Sequence, residues 1–121
     1  MILIEQKLIE FFDGLQLGAS TYGAVPNPRP QRFLTVERTG GAADRFIDRA
    51  QVAVQAWATS RAEAETLAVE ARLAALGLRV APWCAGITLG GLYSFPDPES
   101  RQARYQFTLE INTLNNDNEN Q

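Results

Sequence analysis

Carboxylate and hydroxyl side chains are the groups in this sequence that could perform chemistry. The chain has 14 Asp and Glu residues, and the segment YSFPDPES (93–100) places hydroxyls beside an Asp-Pro pair. Two carboxylates can act as general acid and general base when an apolar neighbourhood raises the pKa of one of them. The carboxylates here fall mostly on predicted helix faces or in turns beside arginines. We therefore expect no enzymatic activity, although the composition leaves carboxylate-only catalysis open.

Histidine is absent from the chain, and Cys84 is the single cysteine. General bases built on histidine, Ser-His triads and the usual zinc sites therefore lack their central residue. Cys84 lies in the apolar segment APWCAGI, where we expect a buried and unreactive thiol. A lone cysteine also excludes a disulfide within the chain. We predict no metal site and no cofactor.

Two glycine pairs, Gly40-Gly41 and Gly90-Gly91, could suggest a phosphate-binding loop. Such a loop requires a strand, a fixed glycine spacing and then the N-terminus of a helix. Both pairs instead lie between β-like segments, and neither GxxxxGK nor GxGxxG occurs. We interpret them as glycines of turns or β-bulges.

Length, charge and hydropathy limit the remaining classes of protein. A chain of 121 residues predicts a single domain, here 1–113, followed by a disordered polar tail over 114–121. The net charge of −3 disfavours a nucleic-acid binder. No apolar run approaches a membrane span, and the first residues do not resemble a signal peptide. We expect a protein that stays in the cytoplasm in which it is made and does not bind a membrane.

Periodicity predicts two helices. The first follows an apolar stripe with helical spacing and should end at Gly14 or Gly18. Its stripe consists of Ile4, Leu8, Phe11 and Leu15. The second begins at a capping box formed by Ser60 and Glu63 and is rich in alanine. Gly77 is expected to take the left-handed position at its end, with Leu78 touching Leu73.

Five β-like segments surround the second helix. A short one over 19–25 leads into the proline loop, Pro26–Pro30, whose three prolines should leave it stiff and exposed. Residues 32–38 and 44–58 alternate with a period of two and predict an antiparallel hairpin. A second antiparallel hairpin is predicted from residues 79–95 and 103–111. Glycines interrupt the first of these segments, whereas the second alternates regularly between apolar and polar residues.

This order of elements predicts an α+β fold. The sequence α-β-β-β-α-β-β is satisfied by one mostly antiparallel sheet with both helices packed on one face. The opposite face should be polar enough to remain open to water. It would carry Arg49, Gln51, Gln55, Arg104, Gln106, Thr108 and Glu110.

Several charged and aromatic residues are candidates for a protein interface. Arginines around the proline loop and the next strand alternate with acidic residues, a mixture that favours a protein contact over a nucleic-acid contact. Phe95 and Tyr93 could anchor a partner, or Phe95 could simply cover the end of the sheet at a tight turn. The full set of candidates is Pro26, Asn27, Arg29, Arg32, Arg38, Asp44, Arg45, Phe95, Asp97, Glu99 and Arg101.

Three segments together resemble the small tail terminator, or tail completion, proteins of long-tailed bacteriophages and prophages. They are VPNPRPQRFLTVERTGG (25–41), VQAWATSRAEAETLA (54–68) and YSFPDPESRQARYQFTLEI (93–111). The similarity spans about 1–111 and consists of turn and strand patterns. It implies an α/β subunit of a hexameric ring that caps the tail tube, ends tube polymerisation and offers a surface to the head completion or stopper protein.

The resemblance also implies partners and a location. The partners would be further copies of the chain, the tail tube protein and the head completion protein, at the head–tail junction of the virion. DNA would pass through the lumen without specific binding. Complementary patches should close the ring. We expect the region of Arg29, Arg32 and Arg38 on one side of a subunit to meet the region of Asp97 and Glu99 on the other side. A head–tail connector, a stopper or another minor tail protein, and a small soluble dimeric binding domain, are the alternatives.

Overall fold

The computed structural model describes residues 2–100 and 102–114. Their order confirms the predicted α-β-β-β-α-β-β arrangement and the α+β class. The elements are α1 (Ile4–Asp13), β1 (Ser20–Tyr22), β2 (Phe33–Ala43), β3 (Ile47–Ala58), α2 (Arg61–Ala75), a 3-10 helix (Leu76–Val80), β4 (Cys84–Ser94) and β5 (Ala103–Leu114). Leu114, where the predicted tail starts, is the last residue of β5, and 115–121 lie outside the described residues.

The five strands form one mixed sheet in the order β1-β2-β3-β5-β4. β1 is parallel to β2, and the other neighbours are antiparallel, so both predicted hairpins are confirmed. β3 is the central strand: Val54 lies opposite Val36 of β2 and Phe107 of β5. These three side chains are fully buried, because the period-two pattern turns each of them toward the same face.

Both helices pack on that face, which we call the inner face. Ile4, Leu8 and Phe12 of α1 are buried there, whereas Phe11, predicted for the stripe, is only partly buried beside the ring of Phe12. Alanines at the buried positions of α2 let its backbone approach the sheet closely. The buried residues of α2 are Ala64, Leu67, Ala68, Ala71 and Ala75.

The start of α2 matches the prediction, and its end does not. The Ser60 hydroxyl accepts a hydrogen bond of 3.2 Å from the Glu63 N–H, as a capping residue does. Gly77 is not a left-handed cap, because the chain continues from α2 into the 3-10 helix that contains it. Leu78, in this tighter turn, is completely buried, whereas Leu73 is 68% exposed.

The predicted bulges in β4 are confirmed. Its pairing with β5 shifts register between Cys84 and Gly86 and again between Leu89 and Leu92. At the second bulge a Cβ on Gly90 would collide with the Thr108 hydroxyl and lie 3.1 Å from the Thr108 carbonyl oxygen. Only glycine therefore fits this close approach of the two strands.

Candidate interaction surface

The outer face of the sheet is not the uniformly open polar surface that alternation predicts. At the end of the sheet where β2 begins and β3 ends, Phe33 and Trp57 are almost completely buried on this face. Thr35 and Gln106 beside them are buried as well. The prediction was wrong at this end because loops, rather than helices, cover these strands, and alternation within a strand carries no information about loops.

Arginines and aromatic rings form the covered region, which we call the arginine–aromatic cluster: Arg29, Phe33, Trp57, Phe95 and Arg104. The rings of Phe33 and Trp57 stack with centroids 5.3 Å apart and planes 8° from parallel. The guanidinium of Arg104 lies 4.8 Å from the Trp57 ring and 4.2 Å from the Phe95 ring, and that of Arg29 lies 5.3 Å from Trp57. Cations at these distances are attracted to the faces of the rings.

The proline loop, Pro26–Pro30, is fastened to the turn that precedes β5. Arg29 Nη1 lies 3.3 Å from Asp97 Oδ2, and Gln102 Nε2 donates to the carbonyl oxygen of Pro30 at 2.9 Å. Arg104 braces the same turn by donating to the carbonyl oxygens of Phe95 and Pro96. The loop therefore lies against the outer face instead of standing free.

These contacts correct the predicted pairing of surface patches. Arg29 and Asp97 were expected on different sides of a subunit, but they are partners within one chain. Arg32 donates to the Leu17 carbonyl oxygen, and Arg38 pairs with Asp48 on the inner face of the sheet. Arg29, Arg32 and Arg38 therefore do not form one patch. The prediction failed because it placed residues by sequence, while pairing of β2 with β3 and of β3 with β5 brings residues near 30 and 97 together.

A chain of hydrogen bonds crosses four strands beside the cluster. Trp57 Nε1 donates to the Thr35 hydroxyl at 3.1 Å, and that hydroxyl donates to Gln55 Oε1 at 3.2 Å. Gln55 Nε2 donates to Gln106 Oε1 at 2.7 Å, and Gln106 Nε2 in turn donates to the Tyr93 hydroxyl. The buried side chains of Thr35, Trp57 and Gln106 thus have hydrogen-bond partners, which reduces the cost of covering this part of the sheet.

The hairpin tip, residues 44–46, lies at the opposite end of the sheet. The Asp44 carboxylate accepts hydrogen bonds from the backbone N–H groups of Ile47 and Phe46 and forms an ion pair with Arg49. These interactions lower the pKa of Asp44 to about 2. Arg45 lies 5.6 Å from the Phe46 ring, and Phe46 is 70% exposed. Asp44 and Arg45 were selected from the sequence as interface candidates, but Phe46 was missed. An aromatic residue next to these two charged residues could have indicated it.

Arg38 and Asp48 form a bidentate ion pair. Two nitrogens of the guanidinium bond the two carboxylate oxygens at 2.7 Å each, and Asp48 is only 8% exposed. The hydrogen bonds from Arg38 lower the pKa of Asp48, and those to Asp48 raise the pKa of Arg38. The Arg38 backbone N–H also donates to Glu5 of α1, so this candidate residue fastens the helix to β2.

Hydrogen bonds and ion pairs shift the pKa of several carboxyl groups on the chain. Among the described residues, the carboxyl groups with a shifted pKa are Asp44, Asp48 and Asp97, and each pKa is lowered, whereas a general acid at neutral pH needs a raised pKa. For Asp97 the causes are hydrogen bonds from the Ser100 hydroxyl and the Glu99 N–H, with Arg29 contributing less. Over 2–100 and 102–114, no group of three or more His, Cys, Asp or Glu side chains could hold a metal ion.

The remaining candidates are placed as follows. Pro26 is half-buried, and Asn27 and Glu99 are exposed on the two loops that meet at the cluster. Arg101 lies outside the described residues. The structure thus brings Arg29, Phe95 and Asp97 together and keeps the hairpin tip apart from them.

Comparison with known proteins adds no relative. The sequence matches no protein-family model and no curated protein. Among the described residues, no helix is both long enough and apolar enough to cross a membrane.

Proposed function

We propose that this chain is a tail terminator of a long-tailed bacteriophage or prophage. Its subunits form a hexameric ring that caps the tail tube, ends tube polymerisation and presents a surface to the head completion protein. The ring sits at the head–tail junction after assembly in the host cytoplasm, and DNA passes through its lumen without specific binding. No enzymatic step belongs to this role.

One observation carries the proposal: the three segments that resemble tail terminators meet in space. The proline loop belongs to the first segment, Trp57 to the second, and Phe95, Asp97 and Arg104 to the third. Arg29 of the proline loop contacts Trp57 and Asp97, and Arg104 contacts Trp57, so each segment contacts the other two. Residues that form one surface from three distant parts of a sequence suit a docking role better than three unrelated turns would.

The composition of that surface favours a protein partner. Aromatic residues and arginine are enriched at protein interfaces relative to the rest of a protein surface. Phe95 is 41% exposed and Tyr93 44% exposed, and their rings lie 6.1 Å apart at the edge of the cluster. We assign the arginine–aromatic cluster to contact with the tail tube or the head completion protein.

Tube assembly tests the function directly. Purified chain is added to polymerising tail-tube protein, and tube lengths are measured by negative-stain electron microscopy. A terminator shortens the tubes in a dose-dependent manner and appears as a ring at one end. A stopper or connector leaves tube length unchanged and binds only tubes that are already terminated, and a soluble dimer leaves the tubes untouched. Either of these results would overturn the proposal.

A pair of charge-matched variants tests the docking surface. Arg104→Gln removes the cation that contacts Trp57 and Phe95, and we expect it to lose the capping of tubes by tenfold or more in the concentration required. Arg45→Gln makes the same change at the hairpin tip and serves as the control. Equal capping by both variants, or loss in Arg45→Gln alone, would contradict the assignment of docking to the cluster.

A further inference from the structure

The two edges of the sheet carry complementary surfaces, and we infer that they join one copy of this chain to the next. The outer edge of β4 in one subunit would pair with the open part of β2 in its neighbour, so that the sheet continues around the ring. This inference rests on the proposed ring and identifies the surfaces that close it.

β4 contains two bulges, but it lacks the charged residues and prolines that also discourage an edge strand from pairing. Its 11 residues, Cys84–Ser94, include no charged residue and no proline. Within 2–100 and 102–114 its only strand neighbour is β5, so the backbone groups on its other side have no strand partner in that part of the chain. Monomeric proteins usually place lysine, proline or a covering segment at such an edge.

The opposite edge is only partly covered. β1 pairs with Phe33–Thr35 of β2 and ends there. From Val36 to Ala43, β2 has β3 on one side and no other strand among the described residues, although Glu5 of α1 accepts the hydrogen bond of the Arg38 backbone N–H. A stretch of about eight residues is long enough for a normal strand pairing.

An apolar groove accompanies each edge on the helix side of the sheet. Beside β4, a groove of about 430 Å³ is lined by Leu73, which is 68% exposed, Val69, 48% exposed, and Leu76, 38% exposed, together with Leu92 and Arg72. Beside β2, a groove of about 380 Å³ is lined mainly by Leu3, which is 69% exposed, with Ile2 and Ile9. Pairing of the strands would bring these two apolar surfaces together and remove both from water.

The charges of the two grooves are complementary. Arg72 is the one charged residue that lines the groove beside β4. The groove beside β2 is lined by Glu5, Arg38 and Asp48, and the ion pair between Arg38 and Asp48 leaves the carboxylate of Glu5 as the net charge. A cationic apolar groove thus faces an anionic one across the junction, a match that favours this partner over another copy of the same edge.

Strand polarity is compatible with a ring. β2, β3, β5 and β4 alternate in direction across the sheet, so β4 runs antiparallel to β2. A rotation about an axis parallel to the strands preserves these directions and sets β4 of one subunit antiparallel to β2 of the next. Such a contact is heterologous, and it closes into a ring when the rotation between neighbours is a whole fraction of a turn.

Two variants, one on each edge, test the inference. Leu73→Glu places a carboxylate in the groove beside β4, and Leu3→Glu does so in the groove beside β2. Both side chains are mostly exposed, so circular dichroism and thermal melting should show unchanged folds. Phe46→Glu, at the equally exposed hairpin tip, is the matched control. Oligomers are measured by size-exclusion chromatography with light scattering, alone and with purified tail-tube protein.

Heterologous pairing predicts a distinctive result on mixing. Each edge variant alone should be monomeric, and Phe46→Glu should form the ring of the unmodified chain. An equimolar mixture of the two edge variants retains one intact junction and should yield a heterodimer and no larger species. Dimers formed by Leu3→Glu but not by Leu73→Glu would show pairing of β4 with β4 and overturn the inference.

Failure of this inference is distinguishable from failure of the proposed function. Rings that persist in both edge variants would refute the edge junction and leave the terminator role standing. An unmodified chain that stays monomeric both in solution and on tail tubes would refute the ring and the junction together.

Discussion

The two faces of the sheet are covered by different means. Helices α1 and α2 cover the inner face, and the residues buried there are aliphatic or aromatic apart from Thr21, Asp48 and Thr113. Irregular loops cover one end of the outer face, where arginines lie on aromatic rings and hydrogen bonds cross the strands. The rest of the outer face remains polar, with Arg49 and Gln51 exposed.

This difference indicates what each face contributes. Burial of apolar area on the inner face supplies most of the free energy of folding, because that term scales with the area removed from water. The outer cluster depends on a few polar and cation–ring contacts, each of which is small. Changes on the inner face should therefore unfold the chain, whereas changes at the cluster should loosen the loops and alter binding.

The largest expected effect lies on the inner face. Phe107→Ala removes a fully buried ring from the strand beside β3, and it should lower the free energy of unfolding by about 3–5 kcal/mol. Urea denaturation followed by circular dichroism measures this loss. A decrease below about 1 kcal/mol would show that the inner face is not the main source of stability.

Gly90 tests the close approach of β4 and β5. Gly90→Ala places a methyl group against the Thr108 hydroxyl and carbonyl, and the displacement of either strand should cost about 1–3 kcal/mol. Gly91→Ala is the matched control, since a Cβ there meets nothing within 4 Å. Equal melting temperatures for the two variants would contradict the packing described at this bulge.

Trp57 tests the outer cluster. Trp57→Phe removes the hydrogen bond to Thr35 and the larger ring beneath two arginines, and it should cost about 1–2 kcal/mol. The loss should therefore be smaller than that of Phe107→Ala although both side chains are buried. A loss equal to or larger than that of Phe107→Ala would erase the contrast between the two faces.

The smallest effect is expected at the exposed ion pair. A double-mutant cycle of Arg29→Ala and Asp97→Ala should give a coupling of about 0.2–1 kcal/mol that decreases with added salt. Hydrogen exchange of 23–32 should increase in both single variants while the exchange of β3 stays unchanged. Protection lost equally across β3 would mean that the loop and the core unfold together.

The same pair predicts a dependence on pH. The pKa of Asp97 is lowered in the folded chain, so its stabilising contribution is fully present above the unfolded value of about 3.9 and is lost as the pH falls through the lower, folded pKa. Carboxyl chemical shifts measured by NMR should place Asp97 below that unfolded value, and Asp44 at about 2. A normal titration of either group would contradict the hydrogen bonds described here.

Several elements could be predicted because their signals are local. Alternation with a period of two predicted β2, β3 and β5, and the Ser60 cap predicted the start of α2. Helical spacing predicted α1 but selected Phe11 in place of Phe12, since two adjacent aromatics compete for one position and packing decides between them. The end of α2 was mispredicted because burial of Leu78 outweighs the preference of Gly77 for a left-handed turn.

The candidate surface was predicted in composition but not in geometry. The proline loop and the Pro-Asp-Pro turn were recognised as distinctive, yet their contact with each other and with Trp57 depends on residues 68 positions apart in the case of Arg29 and Asp97. The two apolar grooves were missed, because each combines a helix with a strand edge whose neighbours the sequence does not reveal.

The sequence by itself determined which residues form helices and strands, which faces are apolar, and that histidine-based chemistry is excluded. These properties depend on residue type and on spacing over a few positions, because the local backbone geometry decides which side chains share a face. Only the tertiary structure decided which charges are neutralised within the chain, which loop covers Trp57, and which strand edges stay open. Those outcomes depend on strand order, and strand order arises from contacts between segments that are distant along the chain.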